Sequence, residues 1–101
     1  MKILKILRKK WLSHRVYKYT LKHSDALSKS QYHKELSEKY LELALQYEHE
    51  FFKGCKLSLE PYHNCQEHKA QSEHFKTLSE IYLSKKNYLE KELQSLIYNK
   101  V

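Results

Sequence analysis

Glycine and proline are nearly missing from this chain, which has one of each, Gly54 and Pro61, in 101 residues. A fold of many short elements needs tight turns, and tight turns draw on Gly, Asn-Gly and Pro. Their scarcity excludes a sandwich or barrel of short strands. Runs of Val, Ile and Thr, which favour strands, are missing as well. No apolar run approaches the roughly 20 residues of a membrane-spanning helix. The opening residues lack the continuous apolar core of a secretory signal. A cytoplasmic location is therefore expected, with Cys55 and Cys65 as reduced thiols.

The motifs of catalysis are missing too. A single glycine cannot build a phosphate-cradling loop, and neither G-x-S-x-G nor H-E-x-x-H occurs. Glu48, His49 and Glu50 are adjacent, but on a helix they point in three directions and cannot converge on one atom. The sequence reads as that of a non-enzymatic protein without a cofactor.

Acidic residues are missing from the first 24 positions, which hold eight Lys and Arg. The other 77 carry eleven basic and twelve acidic side chains, so the whole formal charge of +7 sits in the first quarter. Such segregation suggests a basic helix that meets something anionic, attached to a body with another task.

What is present is helical. Ile3, Leu4, Leu7 and Trp11 recur at helical spacing on one face, with Lys2, Lys5, Arg8 and Lys9 on the other. Past Leu12 the apolar residues shift to another side, at Val16 and Tyr19. Ser24-Asp25 reads as a helix start, a capping hydroxyl followed by a carboxylate at the positive end of the dipole. A second helix is predicted over residues 26–53, with Tyr32, Leu36, Tyr40, Leu43, Tyr47 and Phe51 as its main stripe. Leu41, Leu45 and Phe52 form a narrower one. Gly54 would end it, residues 54–60 would connect, and Pro61 would open a third helix to Asn99. The stripe of that helix is Phe75, Leu78, Tyr82, Leu89, Leu93 and Leu96, interrupted by Lys85.

The expected fold is all-α: a long antiparallel helical hairpin over 25–101 plus a basic N-terminal helix over 1–24, bundle-like or coiled-coil-like, in a single domain. Leu36, Tyr40, Leu43 and Tyr47 are expected to face Phe75, Leu78, Tyr82 and Leu89. An internal repeat supports the hairpin. Residues 30–41, SQYHKELSEKYL, agree with residues 72–83, SEHFKTLSEIYL, at seven of twelve positions. Two duplicated helices would pair about an approximate twofold.

Cys55, His63, Cys65 and His68 are the one group with zinc-ligand chemistry. Their spacing, C-x7-H-x-C-x2-H, lacks the paired C-x2-C of a finger, so no bound metal is expected. A Cys55–Cys65 disulfide across the connection is the alternative.

Three function classes fit. In the first, the hairpin binds a protein partner or a second copy, and Lys5, Arg8, Lys9, Lys10, Arg15, Lys18 and Lys22 contact nucleic acid. Tyr17 and Tyr19 would then stack on bases. In the second, residues 2–11 lie on an anionic membrane. In the third, the chain is a structural subunit with no anionic ligand. The first is placed ahead, because the basic run continues past the point where the apolar stripe lapses. Leu41, Leu45, Phe52, Ile81 and Tyr88 lie outside the main stripes and are the candidate partner-binding residues.

Overall fold

The computed structural model describes residues 2–52 and 55–98. Two helices account for nearly all of them: α1, Lys2–Glu50, and α2, Lys56–Tyr98. They run antiparallel as a helical hairpin. No strand occurs among the described residues.

The third helix expected from the sequence does not exist separately. Residues 2–22 and 26–50 are one continuous helix, and Ser24-Asp25 lies inside it as ordinary exposed positions. Ser and Asp cap a helix only where the chain already has reason to leave one. Here Ala26 is buried, and the buried positions step through this stretch without a break. The basic N-terminal segment is thus the first half of α1. A three-helix bundle is excluded.

The connection is also shorter than expected, because residues 56–60 are helical. Cys55 begins α2. Its carbonyl accepts from the Ser58 N–H at 3.1 Å and from the Ser58 hydroxyl at 2.7 Å, and its Sγ accepts from the Leu57 N–H at 3.3 Å. This thiol does what Ser or Asp does at most helix starts. Pro61 falls in the second turn, buried. There it costs α2 one backbone hydrogen bond. The proposed cap at Gly54 and the helix end at Asn99 lie outside the described residues.

The chain divides into two compact units. Unit 1 comprises Met1–Ala26 with Thr77–Val101, and unit 2 comprises Leu27–Lys76. This division overturns the expected facing with Leu78, Tyr82 and Leu89, while Phe75 shares unit 2 with its expected partners. Leu36, Tyr40, Leu43 and Tyr47 belong to unit 2, whereas Leu78, Tyr82 and Leu89 belong to unit 1. Once α1 starts at residue 2, residues 77–98 pair with its first half.

Within each unit the helices meet along residues that alternate by three and four. In unit 1 these are Leu12, Val16, Tyr19, His23 and Ala26 of α1, with Ser79, Tyr82, Lys86, Leu89, Leu93 and Leu96 of α2. In unit 2 they are Ser30, His33, Ser37, Tyr40, Ala44 and Tyr47, with Ser58, Tyr62, Cys65, His68, Ser72 and Phe75. This is coiled-coil spacing. The occupants of unit 2 are unusual, because small and polar side chains outnumber large ones there. Among the described residues, Leu12 is the one large aliphatic side chain with no exposure.

Hydrogen bonds hold these layers. In unit 1 His23 donates its Nδ1–H to the Ser79 carbonyl at 2.8 Å. In unit 2 the Ser30 hydroxyl donates to the Ser72 carbonyl, and the Ser72 hydroxyl donates to the Ser30 carbonyl, both at 2.9 Å. That reciprocity is a local twofold. It falls on the first residue of each repeated segment. Ser37 donates to the Cys65 carbonyl at 3.0 Å. The partners lie 56, 42, 35 and 28 residues apart for His23–Ser79, Ser30–Ser72, His33–His68 and Ser37–Cys65. The separation shrinks steadily toward the connection, as a hairpin requires.

Candidate functional site

Charge follows the units. Unit 1 has twelve Lys and Arg against four Asp and Glu, and unit 2 has seven against eight. Any electrostatic attraction to an anionic partner therefore acts on unit 1.

The start of α1 leaves its apolar residues exposed. Carried backward from Leu12, the contact spacing falls on Lys9, Lys5 and Lys2. Arg8 lies on that side too, lining a groove with Tyr88, Lys91, Glu92, Ser95 and Leu96 of α2. The apolar residues lie on the other side. Ile3, Leu4, Leu7 and Trp11 are 72%, 69%, 57% and 55% exposed. Ile6 and Lys10 are exposed beside them. Among the described residues Arg8 lines a groove shared with α2, yet every position from Lys2 to Trp11, basic or apolar, is exposed.

Further along α1, cations gather on aromatic faces. Arg15 sits 5.6 Å from the Trp11 ring centroid and 5.2 Å from that of Tyr19, and its Nη2 donates to the Tyr19 hydroxyl at 3.2 Å. Lys22 lies 5.2 Å from Tyr19 and 5.7 Å from Tyr82, and Lys85 of α2 lies 5.7 Å from Tyr19. The two tyrosine rings are 6.1 Å apart and tilted by 37°. Three positive groups thus share one half-buried ring. Arg15, Tyr19, Ser84, Lys85, Tyr88 and Leu89 line a shallow groove of about 450 Å³ beside it. Lys18 is exposed and lies outside the cluster. Lys85, an interruption in an apolar stripe when read from sequence, is a member of the site. So is Tyr82, which the stripe assigned to packing alone.

The candidate partner-binding residues are all exposed: Leu41, Leu45 and Phe52 in unit 2, and Ile81 and Tyr88 in unit 1. Tyr88 also bonds locally. Its hydrogen bond to Glu92, and that carboxylate's charge, push the phenol above its ordinary value, with Arg8 opposing.

The four Cys and His residues near the connection do not converge. Cys55 caps α2, His63 pairs with Glu67 at 3.1 Å, and Cys65 meets Ser37. His68 meets a histidine that sequence spacing did not select. Its Nδ1 lies 2.9 Å from the Nδ1 of His33, so one ring donates and the other accepts. His33 stacks between His68 and Phe75, at 5.1 and 5.6 Å, and Tyr40 stacks on His68 at 5.6 Å. No group of three or more His, Cys, Asp or Glu that could hold a metal ion occurs among the described residues. Both cysteines are free thiols. Comparison with protein-family models, with curated proteins and with solved structures finds no match for this chain.

Proposed function

We propose that this protein is a non-enzymatic helical hairpin that attaches to an anionic membrane surface through the first three turns of α1. Unit 2, through exposed residues such as Leu41, Leu45 and Phe52, is then free to meet a protein partner. One observation carries the reading: the apolar stripe Ile3–Leu4–Leu7–Trp11 is exposed, with lysines and Arg8 interleaved along the same turns. A helix of this kind lies in the plane of the interface, its apolar side in the acyl boundary and its lysines among the headgroups. Each Lys or Arg near an anionic leaflet contributes about 1 kcal/mol, and each buried large apolar side chain about 1.5–3 kcal/mol. No helix among the described residues is long and apolar enough to cross a bilayer. The attachment proposed is therefore superficial.

Vesicle co-sedimentation tests this. The full chain should bind phosphatidylcholine vesicles containing phosphatidylserine at low salt. Leu7→Ala and Trp11→Ala should each weaken binding by about tenfold, the share of buried apolar area they remove. Tyr32→Ala, an exposed position in unit 2, should leave it unchanged. Failure of the wild type to sediment would end the membrane reading.

A second reading keeps the protein on nucleic acid. It is favoured by Arg15, Lys18 and Lys22, which continue the basic run beyond Trp11, with exposed Tyr17 among them. That reading expects a gel shift with a steep salt dependence and no loss on Leu7→Ala, because phosphate contacts and not apolar area would supply the affinity.

A further inference from the structure

The cations around Tyr19 and Tyr82 raise a question that the apolar stripe does not answer. Like charges in one small region repel, and a protein surface usually relieves that with carboxylates. Here the relief comes from ring faces. Arg15, Lys22 and Lys85 each lie within 5.7 Å of the Tyr19 centroid. A partly exposed cation–π contact offsets only about 0.5–1 kcal/mol. The adjoining groove is lined by Arg15 and Lys85, with Lys22 outside its lining; its other polar members are the hydroxyls of Tyr19, Ser84 and Tyr88, the last bonded to Glu92, and no acidic residue lines it. The Arg15 Nε is buried and its Nη2 donates to the Tyr19 hydroxyl, so a ligand would meet the remaining N–H bonds of the guanidinium, which has five in a fixed planar fork.

We propose that Arg15, Lys22 and Lys85, gathered on the Tyr19 and Tyr82 rings of unit 1, form a binding site for a phosphate group, either free or carried on a lipid headgroup. The planar fork of Arg15 matches two phosphate oxygens at once, and the two ammonium groups act as point charges on the remainder. The tyrosine rings hold the three side chains in place before the ligand arrives, which lowers the ordering cost of binding. A terminal phosphate or diphosphate suits the site better than a carboxylate, because three cations call for more than one negative charge. Trp11 belongs to the apolar stripe and also carries Arg15, so Leu7→Ala is the stripe variant that lets the two proposals fail separately.

The chain has two arginines, Arg8 and Arg15. That makes the test direct. The full ¹⁵N-labelled protein is titrated with inorganic pyrophosphate at constant ionic strength, and the two arginine Nε–H signals are followed by NMR. Arg15→Lys assigns them by removing one. The Arg15 signal should shift to saturation, while that of Arg8 should show no saturable shift. Lys22→Gln and Lys85→Gln should each weaken the titration by about five- to tenfold, in keeping with loss of one charge-assisted bond. Circular dichroism of each variant confirms that its helices are intact. Leu7→Ala should titrate like the wild type, whatever its behaviour toward vesicles. Equal shifts at both arginines, or an unchanged titration in Lys85→Gln, would overturn the site.

A lipid arm identifies the source of the phosphate. Vesicles containing phosphatidic acid are compared with phosphatidylserine vesicles of equal surface charge. Selective loss of phosphatidic acid binding in Lys85→Gln places the site on headgroups. Loss of the pyrophosphate titration with vesicle binding intact places it on a free phosphate compound.

Discussion

His33 and His68 show how much a pair of side chains can depend on each other. Their Nδ1 atoms are 2.9 Å apart, and Phe75 and Tyr40 stack on the outer faces of the two rings. Replacing one histidine leaves the other ring nitrogen without its partner in a half-buried layer. The cost of such an orphan is about 1–3 kcal/mol, whereas replacing both partners with apolar groups of similar shape is close to neutral. His33→Phe and His68→Phe should therefore each destabilise the hairpin, and the double variant should recover most of the loss. Chemical denaturation of the four proteins closes the cycle. A double variant as unstable as the sum of the singles would show that the rings contribute packing alone. The pair was not legible in the sequence. His68 stood out because a cysteine lies three residues before it, and His33 had no such neighbour. The repeat did align His33 with Phe75, so an aromatic layer could have been found there.

At the scale of the elements, the sequence made helices and their antiparallel pairing plain, because so few residues could form turns. The contact faces were legible only in part. A reading that follows large apolar residues selects Tyr32, Leu36, Tyr40, Leu43, Tyr47 and Phe51 of α1, of which Tyr40 and Tyr47 lie on the contact face. The structure leaves Tyr32 and Phe51 exposed and Leu36 and Leu43 half-buried. The faces that meet also carry Ser30, Ser37 and Ala44, whose small side chains let two helices come close, and the two serine hydroxyls bond across the gap. Seven-residue spacing was present all along, written in residues that a hydrophobic pattern ignores. The energetic consequence is measurable. Leu43→Ala should cost about 1 kcal/mol, below the 2–5 kcal/mol of a fully buried leucine. Ala44→Leu should cost about 1–3 kcal/mol by overpacking a position with no room. Thermal or urea unfolding of both variants decides this, and a larger loss at Leu43 than at Ala44 would contradict the contact face. The Ser24-Asp25 start failed for a related reason. Capping chemistry is local, and local preference yields when the buried positions on either side continue in step.

For the molecule as a whole, charge was the feature most legible in advance, and its consequence for structure was the least. Eight cations before residue 25 were evident. That the leucines and tryptophan of the first turns would stay exposed was not, because a sequence does not say which face of a two-faced helix its neighbour takes. The shrinking separations between bonded partners, from 56 residues at His23–Ser79 to 28 at Ser37–Cys65, also set an order of events in time. Closing a longer loop costs more entropy, and contacts close in sequence form first. The hairpin should zip from the connection outward and unzip in reverse. Hydrogen exchange should accordingly be slowest around Ser37 and Cys65 and fastest in residues 2–11 and 89–98, and the opposite gradient would refute the zipper. The basic, stripe-bearing turns are then the last part of the chain to settle and the first to let go. A segment built this way can search for a surface before it is committed to its own partner helix. Landing on that surface would act as a clasp on the open end of the hairpin.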